Sequence, residues 1–261
     1  MERGLTLLCQ SDRVGREERI AHQVALLEDI PLRRARLAEL GSFAAALTAG
    51  TVVPVGSVEF VRRAMVLAGI AEPENLSYPP ALRPYLHRRV EQREVGSVLG
   101  KWFVKPVLTK SFTGFVFDTL DNPDHLSCHD RLQLSAFLAL DPRTPVWVSE
   151  PVSWTSEVRY YVLEGEIHGE GRYDDGPEDA PLADVAVVRE MVSRYSASAG
   201  APVAFAIDVG RLEDGSTALV EVNDMWAVGY YSGTLSERAY VRMLHRRWAQ
   251  LLRQRAVEVR S

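Results

Sequence analysis

The sequence predicts a mixed α+β protein, with a small α/β region over residues 1–90 and a sheet-rich α+β unit over residues 91–261. Three observations lead there. Pro73, Pro79, Pro80 and Pro84 crowd the stretch Glu72 to Pro84 and mark a boundary. Long helical periodicity dominates before that stretch, whereas short alternating apolar runs dominate after it. Near the end, VAFAIDVGRLEDGSTALVEVND holds two such runs around Asp214-Gly215, the signature of a tight hairpin.

The elements follow in order. Gly4 to Cys9 is an apolar opening strand. From Arg16 to Leu47, apolar residues at Ile20, Val24, Leu27, Ile30 and Leu37 predict amphipathic helices, the second beginning at Pro31. Thr51 to Val55 is strand-like, and Gly56-Ser57 gives a turn and N-cap for a helix over Val58 to Ala68. Beyond the prolines, strands are expected at 102–107, 115–117, 146–149, 157–163, 166–169, 203–210 and 217–223. Helices are expected at 181–198 and, closing the chain, at 236–257.

Bulk properties narrow the function classes. The 261 residues are 46% hydrophobic and 25% charged, as in ordinary globular proteins. A net charge of -5 gives no overall basic field for nucleic acid or anionic membrane. No apolar run is long enough to span a bilayer. Cys9 and Cys128 lack metal spacing and read as free thiols of a cytoplasmic protein. His125 and His129 fall in a polar stretch that is read as loop.

Taking Asp214-Gly215 as a two-residue loop, Glu213 and Ser216 close the hairpin. Asp208 and Glu221 then lie equally far from the turn and face each other. Side chains alternate along a strand, so Asn223 shares their face. The opposite face carries Phe205, Ile207, Val209, Val220 and Val222, and the acidic face is completed by Ala206, Gly210 and Leu219. Opposed carboxylates repel. Either the face is solvated, or a cation resolves the conflict, and an all-oxygen set of Asp, Glu and Asn suits Mg²⁺ completed by phosphates.

Two further segments carry charge among apolar neighbours. KWFVKPVLTKSFTG puts Lys105 beside Phe103, Val104 and Pro106, either as a snorkelling lysine or as a phosphate-binding charge. Thr109, Lys110, Ser111, Thr113 and Gly114 follow in a loop. In SEVRYYVL, Glu157, Arg159 and Tyr161 share one face, as a cross-strand ion pair or as a clamp for an anion.

In this order, FVKP (103–106), TKSFTG (109–114), SEPV (149–152), SEVRYYV (156–162), AIDVG (206–210) and LVEVN (219–223) resemble the ATP-grasp family. GSVEFV (56–61) is similar to a subgroup of compact members. The resemblance implies the ATP-grasp fold, two α+β subdomains gripping ATP. It implies that Lys105 and Lys110 reach the phosphates, Glu150 to Val152 read the adenine edge, and Glu157 binds ribose. Arg159 would steady the γ-phosphate and an acyl-phosphate, with Arg159 and Lys110 as the catalytic pair. Asp208, Glu221 and Asn223 would hold Mg²⁺. Two departures stand out. The glycine-rich flap is reduced to Gly114, and Arg88 in PYLHRRV stands where an upstream lysine is usual.

The activity so implied is ATP-dependent joining of a carboxylate to an amine, with ADP and phosphate released. Its substrates would be small molecules, peptides or protein termini. A nucleotide-binding docking module and a phosphotransferase on the same scaffold are the alternatives.

Overall fold

The computed structural model describes residues 6–13, 15–107, 112–120, 122 and 125–258. Three sheets organise them. The first is parallel, ordered β2 (Leu32–Ala35), β1 (Leu7–Gln10), β3 (Val53–Val55). Leu7, Leu8 and Cys9 are buried on both faces of the central strand, which is why they read as an unbroken apolar run. Pro54 is tolerated because β3 is an edge strand. Helices α1 (Arg16–Leu27), α2 (Ala44–Thr48) and α3 (Val58–Ala68) cover this sheet. Ser57 caps α3 as expected, its Oγ accepting from the Phe60 N–H at 3.2 Å.

Pro31 does not open a helix. Its carbonyl accepts from the Leu7 N–H at 2.9 Å and starts the edge strand β2, where pairing with β1 overrides the helical spacing. Only α2 and a short 3-10 turn, Leu37–Phe43, remain of the predicted second helix.

The second sheet is antiparallel, ordered β4 (Val90–Glu94), β7 (Pro145–Ser149), β5 (Lys101–Pro106), β6 (Phe115–Asp118). Its core gathers Val104, Phe112, Phe115, Val146 and Val148 against Phe137 of α4 (Cys128–Leu138). His129 therefore sits in a helix rather than a loop.

The third sheet is also antiparallel, ordered β11 (Thr217–Asp224), β10 (Ala204–Leu212), β8 (Trp154–Leu163), β9 (Glu166–Arg172). Phe205, Ile207, Val209, Val158 and Tyr160 pack one face against α5 (Val185–Ser196). Ala204, Ala206 and Tyr161 on the other face join the core of the parallel sheet, with Tyr240, Leu244 and Trp248 of α6 (Glu237–Glu258).

The hairpin differs from expectation in a way that matters. Its loop has three residues, Glu213 to Gly215, closed by the Leu212 N–H to Ser216 carbonyl bond at 2.9 Å. Gly215 takes φ +86°, the left-handed conformation such a loop needs. That register pairs Val209 with Leu219. A β-bulge at Val220 then adds one residue to β11, and Asp208 faces Glu221 after all. The extra residue also exchanges two side chains. Leu219 enters the core instead of the acidic face, and Val220 turns to the cavity described next.

Candidate nucleotide site

Between the second and third sheets lies a cavity of about 640 Å³, within the range of small-molecule sites. Lys105 enters it from β5, Ser149 to Val152 from the end of β7, and Trp154 and Glu157 from β8. Val220, Glu221 and Asn223 enter from β11. The segment Pro73 to Tyr78, in the proline-rich stretch, supplies another wall. Gly114 lets its loop lie directly on β5, because a Cβ there would stand 2.6 Å from the Phe103 ring.

At one end of the cavity the charged residues form a single network. Asn223 Nδ2 donates to Asp208 Oδ2 at 3.1 Å and to Glu221 Oε1 at 2.9 Å. Arg159 Nε and Nη2 donate to the two oxygens of Asp208, each at 2.7 Å. Lys105 Nζ donates to Glu221 Oε2. Two cations thus balance two carboxylates, and the repulsion that suggested a metal is met by the chain's own side chains. Burial works against the Glu221 charge, but Lys105 wins and holds its carboxyl below the ordinary value.

Aromatic rings fix the cations. Tyr231 and Tyr173 stack at 5.0 Å between centroids, and the Arg159 guanidinium lies 4.9 Å from the Tyr231 ring. Lys105 Nζ is 5.1 Å from the Tyr78 ring centroid. Glu157 accepts from the Tyr173 hydroxyl at 2.9 Å. Burial pushes the Glu157 carboxyl up, against that hydrogen bond and reinforced by the charge of Asp208.

The structure brings Lys105, Glu150, Val152, Glu157, Arg88, Glu221 and Asn223 to one cavity wall. Asp208 and Arg159 are buried immediately behind Asn223. Glu150 carries its side chain away to the Arg89 N–H, which Oε2 accepts at 2.8 Å, so the backbone of 150–152 is what that segment offers the cavity. Arg88 donates to the carbonyls of Leu86, Leu219 and Val220. Lys110 lies outside the described residues. Tyr78, Trp154 and Tyr173 were not foreseen. Their only signal was aromatic character at a proline-rich loop and beside two strands.

An antiparallel sheet with a lysine strand, facing a second sheet whose edge hairpin is acidic, defines the ATP-grasp fold. Residues 40–251 match the model of an ATP-grasp domain, family 3 of its clade, and the chain belongs to that family. Among solved structures, N5-carboxyaminoimidazole synthetase from Staphylococcus aureus superposes with a TM-score of 0.58 at 10% identity, covering 95% of this chain and 78% of that one. N5-carboxyaminoimidazole synthase from Aspergillus clavatus, in complex with ADP and 5-aminoimidazole ribonucleotide, gives 0.53 at 15% identity, covering 92% and 76%. These likenesses are of fold. A search of curated proteins finds no match. Among the described residues no helix is long and apolar enough to cross a membrane.

Proposed function

We propose that the chain binds ATP with Mg²⁺ in this cavity and joins a carboxylate to an amine through an acyl-phosphate, releasing ADP and phosphate. The observation that carries the reading is convergence. Lys105, the 150–152 backbone, Glu157, Glu221 and Asn223 come from separate strands to one cavity in a protein of the ATP-grasp family.

The donor set fits Mg²⁺ in kind. Glu221 and Asn223 line the cavity with oxygen-bearing groups, and Asp208 stands behind them. Among the described residues no cluster of three His, Cys, Asp or Glu side chains offers another cation site. When bound, the ion would neutralise phosphate charge. The protein's own residues do the rest. Lys105 exchanges Glu221 for a phosphate oxygen, Glu157 accepts from ribose hydroxyls, and Lys110 adds a second cation. Arg159 keeps Asp208 ionised and faces the transferring phosphoryl. The carboxylate attacks the γ-phosphorus and expels ADP, and the amine then displaces phosphate.

One observation favours a second reading, a nucleotide-binding module without turnover. Lys105 and Arg159 already satisfy Glu221 and Asp208 without a metal. ADP release with and without Mg²⁺, over pools of amino acids and short peptides, separates the two. The ligase reading expects Mg²⁺-dependent ADP release and a product heavier than either substrate by condensation. A silent assay with a nucleotide that still binds would establish the module instead. A stable phosphorylated product would mark a phosphotransferase.

A further inference from the structure

Arg88 sits where a phosphate-binding side chain was expected, yet its donors are spent on the protein. Nη1 donates to the Leu219 carbonyl at 2.8 Å and to the Leu86 carbonyl at 3.0 Å, and Nη2 reaches the Val220 carbonyl at 3.3 Å. In a regular strand successive carbonyls point to opposite sides, so one guanidinium cannot meet both. Here it does, because Leu219 and Val220 are the two residues at the bulge of β11. The strand is also the free edge of its sheet, covered only by a bridge in which the Val222 N–H donates to the Ser77 carbonyl at 2.9 Å. Without the bulge, the register set by the three-residue loop would place Val220 opposite Asp208. Glu221 would then turn into the apolar face beside Ile207.

We propose that Arg88 is a positioning residue: it clamps the bulge and thereby sets Glu221 opposite Asp208. Its guanidinium is held for the task between the rings of Trp154, at 5.1 Å, and Tyr78, at 5.9 Å. Lysine cannot replace it, since a point donor does not bridge two carbonyls of fixed direction. The functional consequence rests on the reading of Glu221 as a metal ligand, whereas the structural one does not.

The test has a structural arm and a binding arm. Arg88→Lys and Arg88→Ala are compared with wild type by amide hydrogen exchange over residues 216–224, without nucleotide. Exchange there rises in both variants and stays unchanged in β1 and α3. Mn²⁺ affinity in the presence of ADP, read by electron paramagnetic resonance, falls about 10–100-fold, as for other residues that orient a ligand. Metal-free ADP affinity by calorimetry holds within about twofold, because the clamp makes no phosphate contact. A second pair of variants guards against simple misfolding. Deleting Val220 removes the bulge while leaving Glu221 opposite Asp208, so Arg88→Ala added to that deletion gives no further rise in exchange. Unchanged exchange in Arg88→Ala, or additive effects in the double variant, would overturn the clamp. A loss of metal-free ADP affinity with normal exchange would make Arg88 a phosphate ligand instead. If wild type binds neither ADP nor Mn²⁺, the nucleotide reading fails and the exchange arm still decides the role of Arg88.

Discussion

Arg159 grips Asp208 through two parallel hydrogen bonds, Nε to Oδ1 and Nη2 to Oδ2, both 2.7 Å long and both buried. Burial opposes the guanidinium charge, but the Asp208 carboxylate holds its pKa above the ordinary arginine value. Breaking one side of such a pair strands the other charge away from water. Arg159→Met should therefore destabilise the fold by about 3–5 kcal/mol, and Asp208→Asn added to it should restore part of the loss. Urea unfolding of the single and double variants checks this. A single variant as stable as wild type would mean that water or another side chain serves Asp208.

That pair was legible only as two separate hints. SEVRYYVL showed an arginine on a strand and AIDVG an aspartate on another, but adjacency of β8 and β10 is a tertiary fact. The Asp208–Glu221 pairing was reached from an incorrect turn. The loop is one residue longer than Asp214-Gly215 implies, and the Val220 bulge cancels the error at this pair but not at Leu219. Bulges leave no composition signal, since Val220 fits a regular strand as well as an irregular one. Strand β4 was missed because VEQRE is polar and rests at a sheet edge. Helix α4 was missed because it buries little beyond Phe137, although Ser127 and Asp130 wrote its N-cap plainly.

Glu221→Gln keeps the shape of the side chain and its contact with Lys105 while removing the negative charge. Mg²⁺-dependent ADP release should fall at least about 100-fold, as when a preorganised charge is removed from a reacting centre. The circular dichroism spectrum and the thermal midpoint should show a folded protein. Turnover at the wild-type rate would remove Glu221 from the metal set.

Lys105 is held by Glu221 and by the face of Tyr78 before any nucleotide arrives. Lys105→Ala should weaken ATP affinity about 10–100-fold through loss of one charge-assisted contact. The same variant leaves Glu221 without its cation, so its carboxyl loses the influence that holds it below the ordinary value. Calorimetry with ATP measures the first effect. Equal affinity in the two proteins would return Lys105 to a purely structural ion pair.

Asp174 gives the pH dependence with the clearest sign. Its carboxylate accepts from Arg172 Nε at 2.7 Å and Nη2 at 2.6 Å, and from the N–H groups of Glu157 and Gly176, each at 2.8 Å. The Arg172 hydrogen bonds, then those backbone donors, hold it well below the ordinary aspartate value of 3.8. A depressed carboxyl stabilises the folded state fully above its unfolded pKa and loses that contribution as pH falls through the folded one. Asp174→Asn should therefore lower the thermal midpoint at about pH 7, and the gap to wild type should narrow as pH drops below about 4. Because Asp174 also holds the backbone of Glu157, the variant should loosen nucleotide binding as well. A gap that stays constant between about pH 7 and about pH 3 would mean that Asp174 acts by shape rather than by charge.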